Sequence, residues 1–315
     1  MHNDLSSTVA LESVTTTEAG KTKVLSDLER IPMELHYKII AYLTLTDFFS
    51  FTRASKILAK NTFTFHQLYE LYDNSHLFKK PDLFKRFLNF FDPSLDDNET
   101  IKLAAENGHV EIVEMLLKDS RVDPTANDDE AIKFAASNGY VEAVKCLLND
   151  SRVNPTANDN EAIRAAANYD HFDVVDILLQ DKRVDPCAMD NFAINTAAEL
   201  GYTDIFRLLH NDSRVDPTDG QNIAIRFASK NGHVAIVDML LKDARVDPAA
   251  SDNIAITYAA ENGHLEIVER LMKDPRVDPF SNDDEAIKRA VNNGFFDIAE
   301  MLTLRKNEID SPSSG

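Results

Sequence analysis

Four histidines, His109, His171, His233 and His264, recur in one context, each directly after a Gly or Asp that ends a polar stretch. Imidazoles of this kind could ligate a metal or shuttle protons. Acidic runs such as Asp128-Asp129-Glu130, Asp159-Asn160-Glu161 and Asp283-Asp284-Glu285 could add carboxylate ligands or an acid–base pair. Spacing argues against both uses. The histidines stand 31 or 62 residues apart, far outside the short spacings of metal sites. His210 stands where equivalent positions carry Leu117, Leu148, Leu179 and Leu241, and it reads as a partly exposed substitution. Cys146 and Cys187 form no metal or redox spacing. No Gly-rich phosphate loop or Ser/His/Asp arrangement occurs. The chain is therefore expected to be no enzyme, with no catalytic residue, no metal site and no cofactor.

What the residues do show is a period. Asp-Pro or Asn-Pro steps end at Pro93, Pro124, Pro155, Pro186, Pro217, Pro248 and Pro279, always 31 residues apart. Such self-similarity predicts stacked supersecondary units that share one continuous core. Eight residues after each proline comes an isoleucine (Ile101 to Ile287), followed at three and four places by small residues such as Ala104-Ala105 and Ala135-Ala136. That spacing places one apolar stripe on a short inner helix, and alanine lets a neighbouring helix approach. Asn-Gly follows in five repeats, supplying a left-handed residue beyond the helix end, and Tyr169-Asp170 replaces it once. An outer helix carries larger aliphatics, as in Ile112, Val113, Leu116 and Leu117. An Arg-Val-Asp-Pro link then stops it. About five aliphatics per unit, at roughly 1.5–3 kcal/mol each when buried, cannot hold one helix pair against its conformational entropy. A stack can.

The segment Ala104-Ala105-Glu106-Asn107-Gly108-His109-Val110-Glu111-Ile112-Val113-Glu114-Met115-Leu116-Leu117 resembles the ankyrin-repeat pattern AAxxGHxxxVxxLL, and it recurs in all seven units. The resemblance implies an all-α ankyrin solenoid over residues 92–308. The family's usual period is 33, so a shortened β-turn finger is expected. The Thr-Pro-Leu-His signature is absent, and Glu99/Lys102, Glu130/Lys133, Glu161/Arg164 and Glu285/Lys288 stand in its place. At i, i+3 spacing these predict ion pairs within each helix.

Of the chain's 33 basic and 53 acidic side chains, 11 and 10 fall in residues 1–91, leaving 22 and 43 in 92–315. An acidic surface disfavours nucleic acid as a partner. A basic partner is one reading of this imbalance; the other is that many of the acids precede inner helices, where they can cap helix N-termini and favour solubility. No apolar run reaches the length of a membrane span, which predicts no membrane partner. With two unpatterned cysteines and no signal-peptide pattern, an intracellular, cytoplasmic or nuclear setting is expected. Residues 1–24 and 309–315 read as disordered tails.

Residues 25–70 break the period, with dense aromatics and few charges. Ile31-Pro32 opens a short amphipathic helix carrying Leu35, Ile39, Ile40 and Leu43, and Asp47 can cap another. This order resembles the F-box pattern LPxELxxxIxxYLxxxDL, with Ile31 where the family usually has leucine. The resemblance implies that Ile31, Pro32, Leu35, Ile39 and Leu43 dock on a Skp-type adaptor and, through it, a cullin. Residues 71–91 read as a helical connector or half-repeat cap. A cap alone is the competing reading of 25–91.

By resemblance, target binding falls on turn tips and on the residue thirteen after each proline. The middle of the array departs most from its counterparts, and it gives the expected target-binding set Met189, Asn191, Phe192, Thr196, Glu199, Leu200, Tyr202 and Lys230. Together these features imply an adaptor without chemistry of its own, the substrate-recognition subunit of a Skp–cullin–F-box ubiquitin ligase. The alternative is a scaffold or decoy that sequesters a partner without ubiquitin transfer. The links also resemble ankyrin arrays of large DNA viruses, which would place the protein in a host cell.

Overall fold

The structure, a computed structural model, describes residues 81–88 and 92–310. The F-box-like segment with Ile31, Pro32, Leu35, Ile39 and Leu43 lies outside the described residues, as do residues 1–24, most of 71–91 and 311–315. The chain divides into two compact units, Met1–Thr100 and Ile101–Gly315. In the first, Pro81–Phe87 is a helix on which Phe84 is fully buried. The first repeat's inner helix, Leu95–Glu106, begins in this unit and ends in the second.

In the second unit every described element is a helix. Inner helices Ala126–Ser137, Ala157–Asn168, Ala188–Leu200, Asp219–Asn231, Ala250–Glu261 and Ser281–Asn292 alternate with outer helices Val110–Leu117, Val141–Leu148, Phe172–Gln180, Thr203–His210, Val234–Lys242, Leu265–Lys273 and Phe296–Asp310. The last helix runs two residues past the expected repeat boundary at 308. Inner helices contact one another more extensively than outer helices do. The alanine pairs explain this, since Ala135, Ala136, Ala166, Ala167, Ala197 and Ala198 are all fully buried. Outer helices contribute Ile112, Val113, Leu116 and their equivalents to the same core, and Val122, Val153, Val184, Val215 and Val246 tie the links to it.

Each inner helix is entered through a left-handed turn. In repeat 2, Asn127, Asp128 and Asp129 have φ of 54, 57 and 60°, and the same three places are left-handed in every repeat. This turn is the shortened finger. A left-handed residue costs roughly 1–2 kcal/mol for most L-amino acids, and Asn and Asp tolerate it best. They fill nearly all of these places, with Met189, Gly220, Gln221 and Ser251 the exceptions. The acids before the inner helices therefore form the turn. The third residue of the turn reaches into the next repeat. Asp129 Oδ1 accepts the Asn154 N–H at 2.7 Å, Asn160 Oδ1 accepts that of Asp185 at 2.8 Å, and Asn222 Oδ1 accepts that of Asp247 at 2.9 Å. Burial pushes the Asp129 carboxyl up, and the Asn154 N–H partly offsets this.

The Arg-Val-Asp-Pro link is a second clasp between repeats. Arg214 grips Asp212 through Nε (2.9 Å) and Nη2 (2.6 Å), then donates from Nη1 to the Val184 carbonyl (2.8 Å) and from Nη2 to the Leu179 carbonyl (3.0 Å). Arg152, Arg183 and Arg276 repeat the arrangement. Leu179 sits in the last turn of an outer helix, where carbonyls lack helical donors. The arginine fork thus caps the preceding repeat, a geometry that lysine cannot reproduce.

Candidate binding face

The recurring histidines belong to the stack. Nε2 of His171, His233 and His264 donates to the carbonyls of Ser137, Glu199 and Lys230, each at 2.9 Å, in the preceding repeat. Their rings lie against the turn glycines. A Cβ on Gly139 would stand 2.6 Å from His171 Nδ1. His210 bonds Asp243 Oδ2 at 2.9 Å and stacks on Phe206. Among the described residues, no three His, Cys, Asp or Glu side chains are placed to hold a metal ion. Burial pushes the Cys146 and Cys187 thiols up, away from the nucleophilic thiolate. No helix of the described residues is long and apolar enough to cross a membrane.

Lys102 and Lys133, expected to pair with an acid in their own helix, form ion pairs with the following repeat. Lys102 meets Glu130 and Lys133 meets Glu161, both at 3.6 Å. Arg164 instead donates to the Asp159 and Asn158 carbonyls of its own turn and lies 5.4 Å from the centre of the Phe192 ring. Stacking brings residues 28 apart as close as an i, i+3 helical pair. Arg289 follows the cross-repeat pattern with Glu261 at 2.6 Å, and it also holds Glu285 at 2.8 Å.

These inner helices frame a groove of about 620 Å³ on the face they share, lined across repeats 1 to 4. Phe134 and Ala165 occupy the position ten after the proline. Lys133 sits 4.9 Å from the Phe134 ring. Tyr169 and Phe192 form the far wall, with Glu106, Asn138 and Asn168 along the rim. The position ten after the proline reads Leu103, Phe134, Ala165, Thr196, Phe227, Tyr258 and Arg289. Ala165 is its smallest member, and its missing bulk opens the groove between Phe134 and Phe192.

The expected binding set divides in the structure. Met189, Phe192 and Leu200 are exposed by 55, 37 and 45%. Glu199 and Lys230 are exposed as well, and Tyr202 is half-buried. Asn191 and Thr196 are buried and offer no side chain to a partner. Asn191 is the third residue of a left-handed turn, so it faces the next repeat, where its Nδ2 donates to Asp219. Thr196 is only 8% exposed between the packed inner helices. Of the expected set only Phe192 lines the groove. Glu106, Ser137 and Asn168, thirteen after their prolines, also line it. In the sequence Tyr169 stands out only as a replacement at the helix end, and Phe134 and Ala165 only by the size variation ten after the proline.

The family description "Ankyrin repeats (3 copies)" matches residues 76–159, 101–190, 132–219, 162–252 and 225–313. No curated protein matches the chain. Paired helices at a period of 31, a stack sealed by alanine pairs, and these matches together show that the chain belongs to the ankyrin-repeat family.

Proposed function

We propose that this protein is a non-catalytic adaptor: its array holds a protein target and its N-terminal segment recruits a Skp-type adaptor, making it the substrate-recognition subunit of a cullin-type ubiquitin ligase. The observation that carries the array's role is the groove of repeats 1 to 4. There, Phe134, Tyr169 and Phe192 stand beside polar rim residues, the combination that protein interfaces use as an energetic centre. Ankyrin repeats suggest a role in protein–protein interaction. Catalysis would come from other subunits, with this chain raising the effective concentration of target lysines near the charged ubiquitin carrier. The recruiting half rests on the F-box resemblance of residues 25–70. Such a protein works in the cytoplasm or nucleus, those of a host cell if its source is a large DNA virus.

The test is capture of purified Skp-type adaptor by the full chain and by its Pro32→Ala/Leu35→Ala variant. Capture by the parent and loss in a variant with unchanged helical content supports the ligase reading. No capture by the parent sinks it and leaves the array as a sequestering scaffold.

A further inference from the structure

Building on the reading of the array as a protein-binding face, we infer that the groove takes an extended peptide segment with one large uncharged apolar side chain at its centre and basic residues on both flanks. The centre is the gap at Ala165, walled by Phe134, Tyr169 and Phe192. Its two cations are already engaged. Lys133 is held by Glu161 and the Phe134 ring, and Arg164 by two backbone carbonyls and the Phe192 ring. A basic side chain in the gap would meet both cations. An apolar one meets the side chains of Phe134, Tyr169 and Phe192.

The flanks carry the opposite sign. Glu106 lines one end of the groove. Glu199 is exposed on the same helix and face as Phe192, two turns on. Neither carboxylate has an ion-pair partner among the described residues, whereas Glu261 at the equivalent position is paired with Arg289. The wider field points the same way, because residues 92–315 hold 43 acidic against 22 basic side chains and attract a cationic segment.

Geometry sets the register. Helices stacked at about 8–10 Å put Glu106 two repeats, or roughly 16–20 Å, from Ala165, and Glu199 one repeat away. At about 3.3 Å per residue an extended chain covers these spans in roughly five or six residues on one side and three on the other.

A displayed library of random peptides of about twelve residues, long enough for both spans, is panned on the immobilised full chain. Winners are then measured against three variants. Ala165→Phe fills the gap, and the fold accepts it because Phe134 and Phe227 occupy that position elsewhere. Glu106→Gln and Glu199→Gln remove one flank charge each. Winners are expected to share an apolar anchor with Lys or Arg at those offsets. Ala165→Phe is expected to weaken them about ten-fold or more. Each glutamine variant is expected to weaken them roughly two- to five-fold and to reduce their salt sensitivity. Winners that are acidic or uncharged, or that bind Ala165→Phe as well as the parent, overturn the groove assignment while leaving a protein-binding array intact. Failure to enrich any peptide counts against both.

Discussion

Replacing Arg214 by alanine removes the clasp between repeats 3 and 4 without touching a core side chain. The guanidinium donates to the Val184 carbonyl at 2.8 Å and the Leu179 carbonyl at 3.0 Å. A hydrogen bond of this kind contributes about 0.5–1.5 kcal/mol net, and a charged donor raises it. The Arg214 side chain is 36% exposed, so water can replace part of what is lost, and about 1 kcal/mol per bond is the appropriate figure. The ion pair with Asp212 adds well under 1 kcal/mol at such exposure. Asp212 keeps the Arg214 backbone N–H at 2.9 Å after the change. The expected loss is about 2 kcal/mol, and about 1 kcal/mol for Arg214→Lys, which retains one point-charge contact. Urea unfolding of the parent and both variants measures it, with hydrogen exchange of the Leu178–Asp181 amides locating it. In a stack with nearest-neighbour coupling, weakening one interface also raises local opening there. A loss below about 0.5 kcal/mol, or equal losses for alanine and lysine, would refute the view that these arginines cap the preceding repeat.

The clasp aspartates make stability fall in acid. Arginine hydrogen bonds hold Asp119, Asp150, Asp181, Asp212 and Asp274 below the usual carboxylate range, and Asp243, bonded by Arg245 and His210, falls to about 2. Because their folded values are depressed, their contribution is complete above the unfolded value near 3.8 and is lost as pH drops toward about 2. Urea midpoints between those limits should fall steeply, whereas buried Asp129, shifted upward, acts above 3.8, where its protonation adds stability as pH falls. A double-mutant cycle on Lys133 and Glu161 should show coupling of about 0.5 kcal/mol, and one on Lys133 and Glu130 close to none. Gly139→Ala should cost about 1–2 kcal/mol in thermal or urea unfolding, since φ is +75° and His171 occupies the space. Asp170→Gly, at the same place in repeat 3 with φ of 61°, should stabilise by about 0.5–1 kcal/mol.

Much of this architecture was legible in the chain because a period multiplies weak signals. The Ile–Ala–Ala stripe, the Asn-Gly helix end and the large aliphatics of the outer helix each recur, and each took its expected place in the stack. What escaped was contact between repeats. Lys133 has an acid three residues before it and another 28 residues after it, and only stacking decides that the distant one is its partner. The Asn and Asp runs before the inner helices suit both a cap and a left-handed turn. Three in succession, with the third bonding the next repeat, distinguish the turn. The groove is hidden in the sequence because polarity singles out residues such as Met189 and Leu200, while the shape is set by an alanine. Ala165 looks like core until its neighbours Phe134 and Phe192 are seen to stand clear of it.

The most direct test of a binding face on repeats 1 to 4 is position-resolved photo-crosslinking. A benzophenone side chain replaces Tyr169, which is 58% exposed in the groove wall, or Glu142, which is exposed on an outer helix. The full chain is then irradiated in the cells that express it. The account predicts a discrete protein adduct from position 169, absent from position 142 and abolished by Ala165→Phe. No adduct at 169, or the same adduct from both positions, would contradict it.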